Sequence, residues 1–393
     1  MDILIIAHFI TEFNKNGTSR FVCIAEELSK NHNVELVTST FDHIKKTQRA
    51  CDNIQLNAKI TFLKEPSYKK NISLKRIFSH YRFGTHLKSY LKTRKKPDVI
   101  YCAVPSLECA SYAAKYAKKN KVRFIIDVQD LWPEAFKLVF NVPLISNVLF
   151  LPMKHKADKI YSNADTIVGV SNTYCERASR SNKKNARAIP VFLGTYLSIF
   201  DKYAIENKIE RNSDKFALCY VGTIGYSYDI KCILDALMIL RKDGYNKVTF
   251  WIIGDGPQKS SIEEYVKSND LDVVFFGRVE YKKMCGLLCS CDACVNPLKK
   301  DAPQSIINKH GDYSASGLPI INTQPCLEYR SLIDKYKCGI NCECSNPSDV
   351  ATAIKSLIEN KEERIEMGKR ARVLARDMFD RTSTYTEIYK LFE

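Results

Sequence analysis

The chain has 393 residues, 45% of them hydrophobic and 26% charged, with a formal net charge of +16. That length exceeds one ordinary domain and predicts two of near-equal size, each apolar enough to bury a core. Residues 1–200 carry 32 Lys and Arg against 16 Asp and Glu, whereas 201–393 carry 28 of each. The first half therefore holds the whole excess and should be drawn to an anionic surface or partner: membrane lipid, nucleic acid or a phosphorylated substrate. The opening MDILIIAHFITEF has no basic region ahead of its apolar run, so no signal peptide is expected there. Fifteen Cys without a secretory signal point to free thiols in a reducing cytoplasm rather than a disulfide framework.

In chain order, DILIIAHF reads as a buried parallel strand, ITEFNKNGTS as a polar loop with Gly17 at the turn, RFVCIAEELSKN as a helix and NVELVTS as a second strand. DVIYCAV, VRFIIDV and TIVGVS are further strands, with helical stretches such as LECASYAAKYAKKN between them. Residues 59–96 interrupt this alternation with twelve Lys and Arg and one acid, Glu65; Leu74, Ile77, Phe78, Tyr81, Leu87 and Leu91 recur there near helical spacing. A basic amphipathic helix with many aromatics favours a membrane surface over a merely solvated face. Residues 138–153 are uncharged but too short, and too broken by Pro143, Pro152 and two Asn, to span a bilayer.

The polar, charge-mixed run 199–214 reads as a linker. The alternation then restarts: strand FALCYVG, helix IKCILDALMILRKDG, strand VTFWIIGDGP, helix QKSSIEEYVKSN, strand VVFFGRV, helix YKKMCGLLCS, strand ACVNPL, strands LPIIN and CGINCE, and helix NPSDVATAIKSLIEN. Two tandem doubly wound α/β domains follow, of Rossmann-like type: 1–198, and 215–375 after the linker, with 376–393 a terminal helix expected to pack back on the first domain. Ligands in such sheets bind at the carboxyl ends of strands, and two facing sheets would put the site in a central cleft.

Three stretches of the second half offer phosphate- or sugar-binding groups. VGTIGYSYD supplies Gly222, Thr223 and Gly225 at a turn into a helix, where backbone N–H groups can meet a phosphate. IGDGP is better explained as a turn. PQSIINKHGDYSASGLP supplies Gln304, Ser305, Asn308, Lys309 and Asp312. Lys309 and Asp312 are three apart, and on a helix would share a face, either pairing with each other or reaching one ligand: Lys to phosphate, carboxylate to ribose or sugar hydroxyls. In the first half, FIIDVQDLWPEAF places Asp127, Asp130, Trp132 and Glu134 after a buried strand, and Asp130 can orient a substrate hydroxyl or cap the helix that Pro133 begins. Cys285, Cys289, Cys291 and Cys294, with Cys338, Cys342 and Cys344, read as core packing rather than metal ligands. Asp270 and Asp272 sit at the wrong end of a strand for a site, the seven His are scattered, and no metal site is expected.

Together these stretches resemble the retaining glycosyltransferases of family 4, with the two-domain GT-B fold. The resemblance runs over the whole chain and rests on the Gly17-Thr18 loop, DVQDLWPEA, YVGTIGYSYD, IIGDGP, FFGRV with LLCSCDACVNPL, and INKHGDYSASGLPIIN. The DLWPE stretch is similar to transferases that build bacterial O-antigen, capsule and exopolysaccharide. The resemblance implies transfer from a nucleotide sugar, most often a UDP-sugar, to a lipid-linked saccharide at the inner face of the cytoplasmic membrane. It implies no metal and no cofactor beyond that co-substrate; a nucleic-acid partner is not expected, because no recognition motif is seen and the second half is neutral. It implies donor contacts at Gly17, Thr18, Gly222, Thr223, Gly225, Arg278, Gln304, Ser305, Lys309 and Asp312, and a catalytic or orienting role for Asp130. Lys75, Arg76, Phe78, Tyr81, Arg82 and Trp132 would face the acceptor and membrane. Most members carry an E-x7-E motif here; Asp312 matches its second Glu, and Gln304 stands at the first, keeping hydrogen bonding without the charge. Competing readings are a GT-B epimerase acting on a soluble nucleotide sugar, a non-enzymatic protein binding nucleic acid or membrane through its basic half, and an inactive partner subunit.

Overall fold

The computed structural model describes residues 1–10, 12–13, 19–49, 54–71, 73–137, 148–211, 214–300 and 306–393. It divides into two compact units: Met1–Phe192 with Tyr385–Glu393, and Leu193–Thr384.

The first unit runs β1 Asp2–Ile6, α1 Arg20–Leu28, β2 Asn33–Ser39, β3 Phe41–Asp42, β4 Thr47–Gln48, β5 Lys59–Leu63, α2 Leu74–Thr93, β6 Val99–Val104, α3 Leu107–Asn120, β7 Arg123–Val128, α4 Glu134–Lys137, α5 Leu151–Tyr161, β8 Thr166–Gly169, α6 Asn172–Ser179 and β9 Arg187–Pro190. Seven strands pair in parallel in the order β5-β2-β1-β6-β7-β8-β9, and β3 and β4 form a small antiparallel hairpin. Ile3 to Ile6 and Val99 to Val104 are buried throughout, as strands covered on both faces by helices must be. α2 closes one face with Phe83, Leu87 and Leu91, while its Leu74, Ile77, Phe78 and Tyr81 stay exposed. The terminal stretch Tyr385–Glu393 completes this unit: Arg123 Nη1 donates to Leu391 O at 2.6 Å, and the Phe392 ring lies 5.9 Å from that of Tyr101.

The second unit runs α7 Leu197–Glu206, β10 Phe216–Val221, α8 Ile230–Lys242, β11 Val248–Ile253, α9 Lys259–Ser268, β12 Val273–Gly277, α10 Tyr281–Cys289, β13 Ala293–Asn296, α11 Asn308–Ala315, β14 Ile320–Asn322, α12 Leu327–Tyr336, β15 Gly339–Asn341, α13 Pro347–Glu359 and α14 Lys361–Leu374. Its six strands are parallel in the order β12-β11-β10-β13-β14-β15. The supposed linker differs from the sequence reading: 199–206 lies within α7, which buries Leu197, Phe200 and Ala204. Those apolar residues at helical spacing are diluted in sequence by the charges around them. Gly286 of α10 fits this contact, since a Cβ there would stand 2.0 Å from Asn207 O.

Candidate functional site

At the carboxyl edge of the second sheet, the β10 loop and α11 meet. Gly222 follows β10 at φ +143, and a Cβ on it would lie 2.8 Å from Lys309 Nζ and 3.1 Å from the Tyr220 hydroxyl. Gly254, at φ +157, allows the next loop to pass so close that a Cβ would stand 1.8 Å from Gly222 O. IGDGP thus serves close loop packing, as its turn reading expects.

Three N–H groups of this loop donate within the chain. Gly222 N donates to Ile253 O at 3.0 Å, Ile224 N to Asp255 O at 3.0 Å and Gly225 N to Thr223 O at 2.9 Å. The N-terminus of α8 is capped by Asp229, which accepts from Cys232 N at 3.3 Å. Gly222, Thr223 and Gly225 thus come together at this strand end with Thr223 exposed, and a buried side chain lies beside them.

That side chain is Lys309. It is 8% exposed, and its Nζ sits 4.2 Å from the Tyr220 ring centroid and 4.0 Å from that of Tyr228. Among the described residues, Nζ has no hydrogen-bond partner. Burial pushes its ammonium well below the usual value. Asp312 points elsewhere: Tyr281 OH donates to its Oδ1 at 2.8 Å and also lies 2.6 Å from Thr195 Oγ1. Burial raises the Asp312 carboxyl to about 6 in spite of that hydrogen bond. The Lys–Asp pairing open on spacing alone is thus not made: α11 directs Lys309 to the β10 loop and Asp312 to α10. Arg278 is exposed just past β12, Asn308 begins α11, and Gly17, Thr18, Gln304 and Ser305 lie outside the described residues.

In the first unit, a pocket of about 410 Å³ opens beyond β1, β6 and β7, lined among others by Phe9, His43, Tyr68, Arg76, Asp130 and Trp132. Asp130 accepts from Leu131 N at 2.9 Å and from Trp132 Nε1 at 3.1 Å, and burial raises its carboxyl. Asp127 is consumed inside the core: Arg20 Nε donates to it at 2.8 Å, Tyr101 OH at 2.5 Å and Gln129 Nε2 at 2.5 Å. Arg76 and Trp132 face the pocket, with the guanidinium 5.3 Å from the Trp132 ring, whereas Lys75, Phe78, Tyr81 and Arg82 are exposed on α2. A larger hollow, about 590 Å³ and lined by Asp201, Cys289, Gly317, Arg364 and Arg372 among others, contains none of the expected site residues.

Sequence reasoning missed two features. Tyr220, Tyr228 and Tyr281 shape the Lys309 and Asp312 surroundings, and only the fold brings them there. His8, His43, Glu65 and His80 also converge, with one potential ligand atom from each within 4.8 Å of the others. The view of the His residues as scattered is corrected, because three strand ends and α2 gather positions that are distant in sequence. The one signal was Glu65, a lone acid in a basic segment. Among the described residues, the Cys clusters form no such group, and burial pushes the thiols of Cys289, Cys338 and Cys342 up to about 12.

Residues 201–374 match the family model for Glycosyl transferases group 1. An uncharacterised glycosyltransferase of Methanocaldococcus jannaschii is 23% identical over 250 residues, covering 60% of this chain and 59% of the relative. The curated relatives are matched over 54–65% of their own length. Among solved structures, Anabaena HepE in complex with UDP aligns with a TM-score of 0.72 at 13% identity, covering 100% of this chain and 99% of that one. WaaG, a glycosyltransferase involved in lipopolysaccharide biosynthesis, aligns with a TM-score of 0.63 at 14% identity over 99% of each chain. The fold of these parallel-sheet units is that of the GT-B glycosyltransferases.

Proposed function

We propose that the chain is a glycosyltransferase that moves a sugar, with retention of configuration, from a UDP-sugar to a lipid-linked saccharide in surface polysaccharide biosynthesis of O-antigen or capsule type. The observation that carries this reading is Lys309, a buried ammonium without a hydrogen-bond partner among the described residues, at a strand end where Gly222 leaves room beside it. An unpaired buried cation is costly unless an anion completes it, and a nucleotide diphosphate supplies one. Asp312 accepts from the ribose hydroxyls, Lys309 and exposed Arg278 stabilise the leaving diphosphate, and Asp130 orients the sugar. The acceptor oxygen bonds to the anomeric carbon as the carbon–oxygen bond to the diphosphate breaks, and the hydroxyl proton passes to a diphosphate oxygen.

Membrane attachment at the inner face belongs to the same proposal. Leu74 is 83% and Ile77 65% exposed on α2, beside Phe78, Tyr81, Lys75 and Arg82. Apolar side chains flanked by cations suit an anionic lipid surface. Among the described residues, no helix is long and apolar enough to cross a membrane. WaaG, which shares this fold, is involved in lipopolysaccharide biosynthesis, and the surface-polysaccharide part of the reading is in keeping with that likeness. The test incubates purified protein with UDP-, GDP- and dTDP-sugars and follows nucleotide release and binding. Slow release from UDP-sugars is expected; absence of both release and binding with every donor overturns the reading.

A further inference from the structure

The His–Glu cluster of the first unit lies beyond the carboxyl ends of its sheet. His8 stands two residues past β1, Glu65 two past β5, His43 next to β3, and His80 in the first half of α2. His8 Nε2 is 2.8 Å and His43 Nε2 3.3 Å from Glu65 Oε2. The His8 and Glu65 side chains are at most 1% exposed and that of His43 is 10% exposed. We propose that His8, His43, His80 and Glu65 bind one zinc-class divalent cation in a closed, structural site that pins α2 to the edge of the sheet.

The spacing fits this ion. Zinc bonds of about 2.0–2.2 Å to nitrogen and carboxylate oxygen in a tetrahedron put ligand atoms roughly 3.3 Å apart. The His43–Glu65 separation matches that value, His8–Glu65 would open slightly, and the remaining atoms, all within 4.8 Å, would draw in by at most about 1.5 Å. Three imidazoles with one carboxylate and no thiolate suit zinc better than calcium or magnesium, which take mostly oxygen. Four protein ligands leave no open position, which marks a structural site rather than a catalytic one.

The surroundings support the ligands as an outer shell does. Ser79 Oγ donates to Glu65 Oε1 at 2.5 Å, Ser39 Oγ donates to Oε2, and His43 Nδ1 is 2.7 Å from the Tyr68 hydroxyl. That last bond occupies Nδ1 and leaves Nε2 facing the cluster. Arg76 Nε is 3.5 Å from His80 Nε2, but the guanidinium is held independently by Asn71 O at 2.8 Å and over the Trp132 ring. Without a cation, Glu65 has the two serines and His8 as close partners, and His43 Nε2, 3.3 Å from Oε2, is buried without a well-formed hydrogen bond among the described residues. More imidazoles converge than the carboxylate needs.

His43 also lines the pocket that holds Asp130 and Trp132, so the test reads the metal itself rather than sugar transfer. The full chain is stripped with a chelator and reloaded with Zn²⁺ or Co²⁺ alone. Expected are one zinc retained per chain after gel filtration, a Tm raised by zinc, and the visible d–d bands of tetrahedral Co²⁺. Ser79→Ala should lower zinc affinity about 10–100-fold while the protein folds, and His43→Ala should remove the cobalt bands. Wild-type protein that retains no zinc, shows no cobalt bands and has the same Tm with and without zinc overturns the proposal.

Discussion

Arg20 and Lys309 are both buried cations near the carboxyl edge of a parallel sheet, yet their surroundings differ. Arg20 donates to Asp127, to Val191 O at 2.9 Å and to Phe192 O at 3.2 Å, with the Tyr385 ring at 4.9 Å. Burial opposes its charge, and Asp127 with Tyr385 and Tyr101 together outweigh that and raise its pKa. Lys309 has two aromatic faces and no acceptor among the described residues, and burial alone moves its pKa down. Arg20 is charge-paired with a carboxylate from within the chain, although its Nη2, like Lys309 Nζ, has no hydrogen-bond partner among the described residues, and its role is scaffold. Lys309 has no carboxylate partner among the described residues, which suits the anion-binding role proposed for it.

Substitutions should separate the two by sign. Arg20→Met strands Asp127 in the core and should cost about 3–5 kcal/mol in urea unfolding, the largest loss expected here. Lys309→Met, which replaces an unpaired cation with an apolar chain, should leave stability unchanged or raise it. A comparable loss in both variants would break the distinction. Gly254→Ala should cost on the order of 1–3 kcal/mol, because φ +157 and the 1.8 Å approach to Gly222 O force the loop beside Lys309 to move.

Asp312 sharpens the comparison through pH. Its folded carboxyl is raised to about 6 from 3.8, so its contribution to stability is fully present below about 4 and is lost as pH rises through about 6. Ribose binding runs the opposite way: the ionised form accepts from two hydroxyls, so UDP affinity should weaken as pH falls through about 6. Asp312→Asn should flatten that dependence, as read by calorimetric titration at several pH values. The smallest stability effect belongs to α2. Ile77→Ser with Phe78→Ser should change unfolding free energy by about 0.5 kcal/mol or less per site while reducing pelleting with anionic liposomes.

The doubly wound α/β architecture was legible because fully apolar runs such as Ile3–Ile6 and Val99–Val104 alternate with helical spacing. α7 was not, because Leu197, Phe200 and Ala204 are diluted by charge, and their burial depends on a surface of α10 that no local pattern announces. Lys309 and Asp312 were legible as polar groups at a helix by a strand. Their divergence was not, since it follows from which neighbours α11 meets: Tyr220 and Tyr228 on one side, Tyr281 on the other. The glycines at 222 and 225 were legible as a turn at a strand end, but the donation of Gly222 N and Ile224 N to the neighbouring loop was not, since it depends on how closely Gly254 lets that loop pass. His8, His43, Glu65 and His80 come from four separate segments and acquire a common location only through the order β5-β2-β1 and the placement of α2.

The most direct test is calorimetric titration of UDP into wild-type protein and Lys309→Met, with unfolding measured on both. The account predicts measurable UDP binding by the wild type and a loss of about 10–100-fold in the variant, as expected for hydrogen bonds from a charged group worth about 1.5–3 kcal/mol, with no loss of stability. Equal UDP affinity in the two proteins would contradict it.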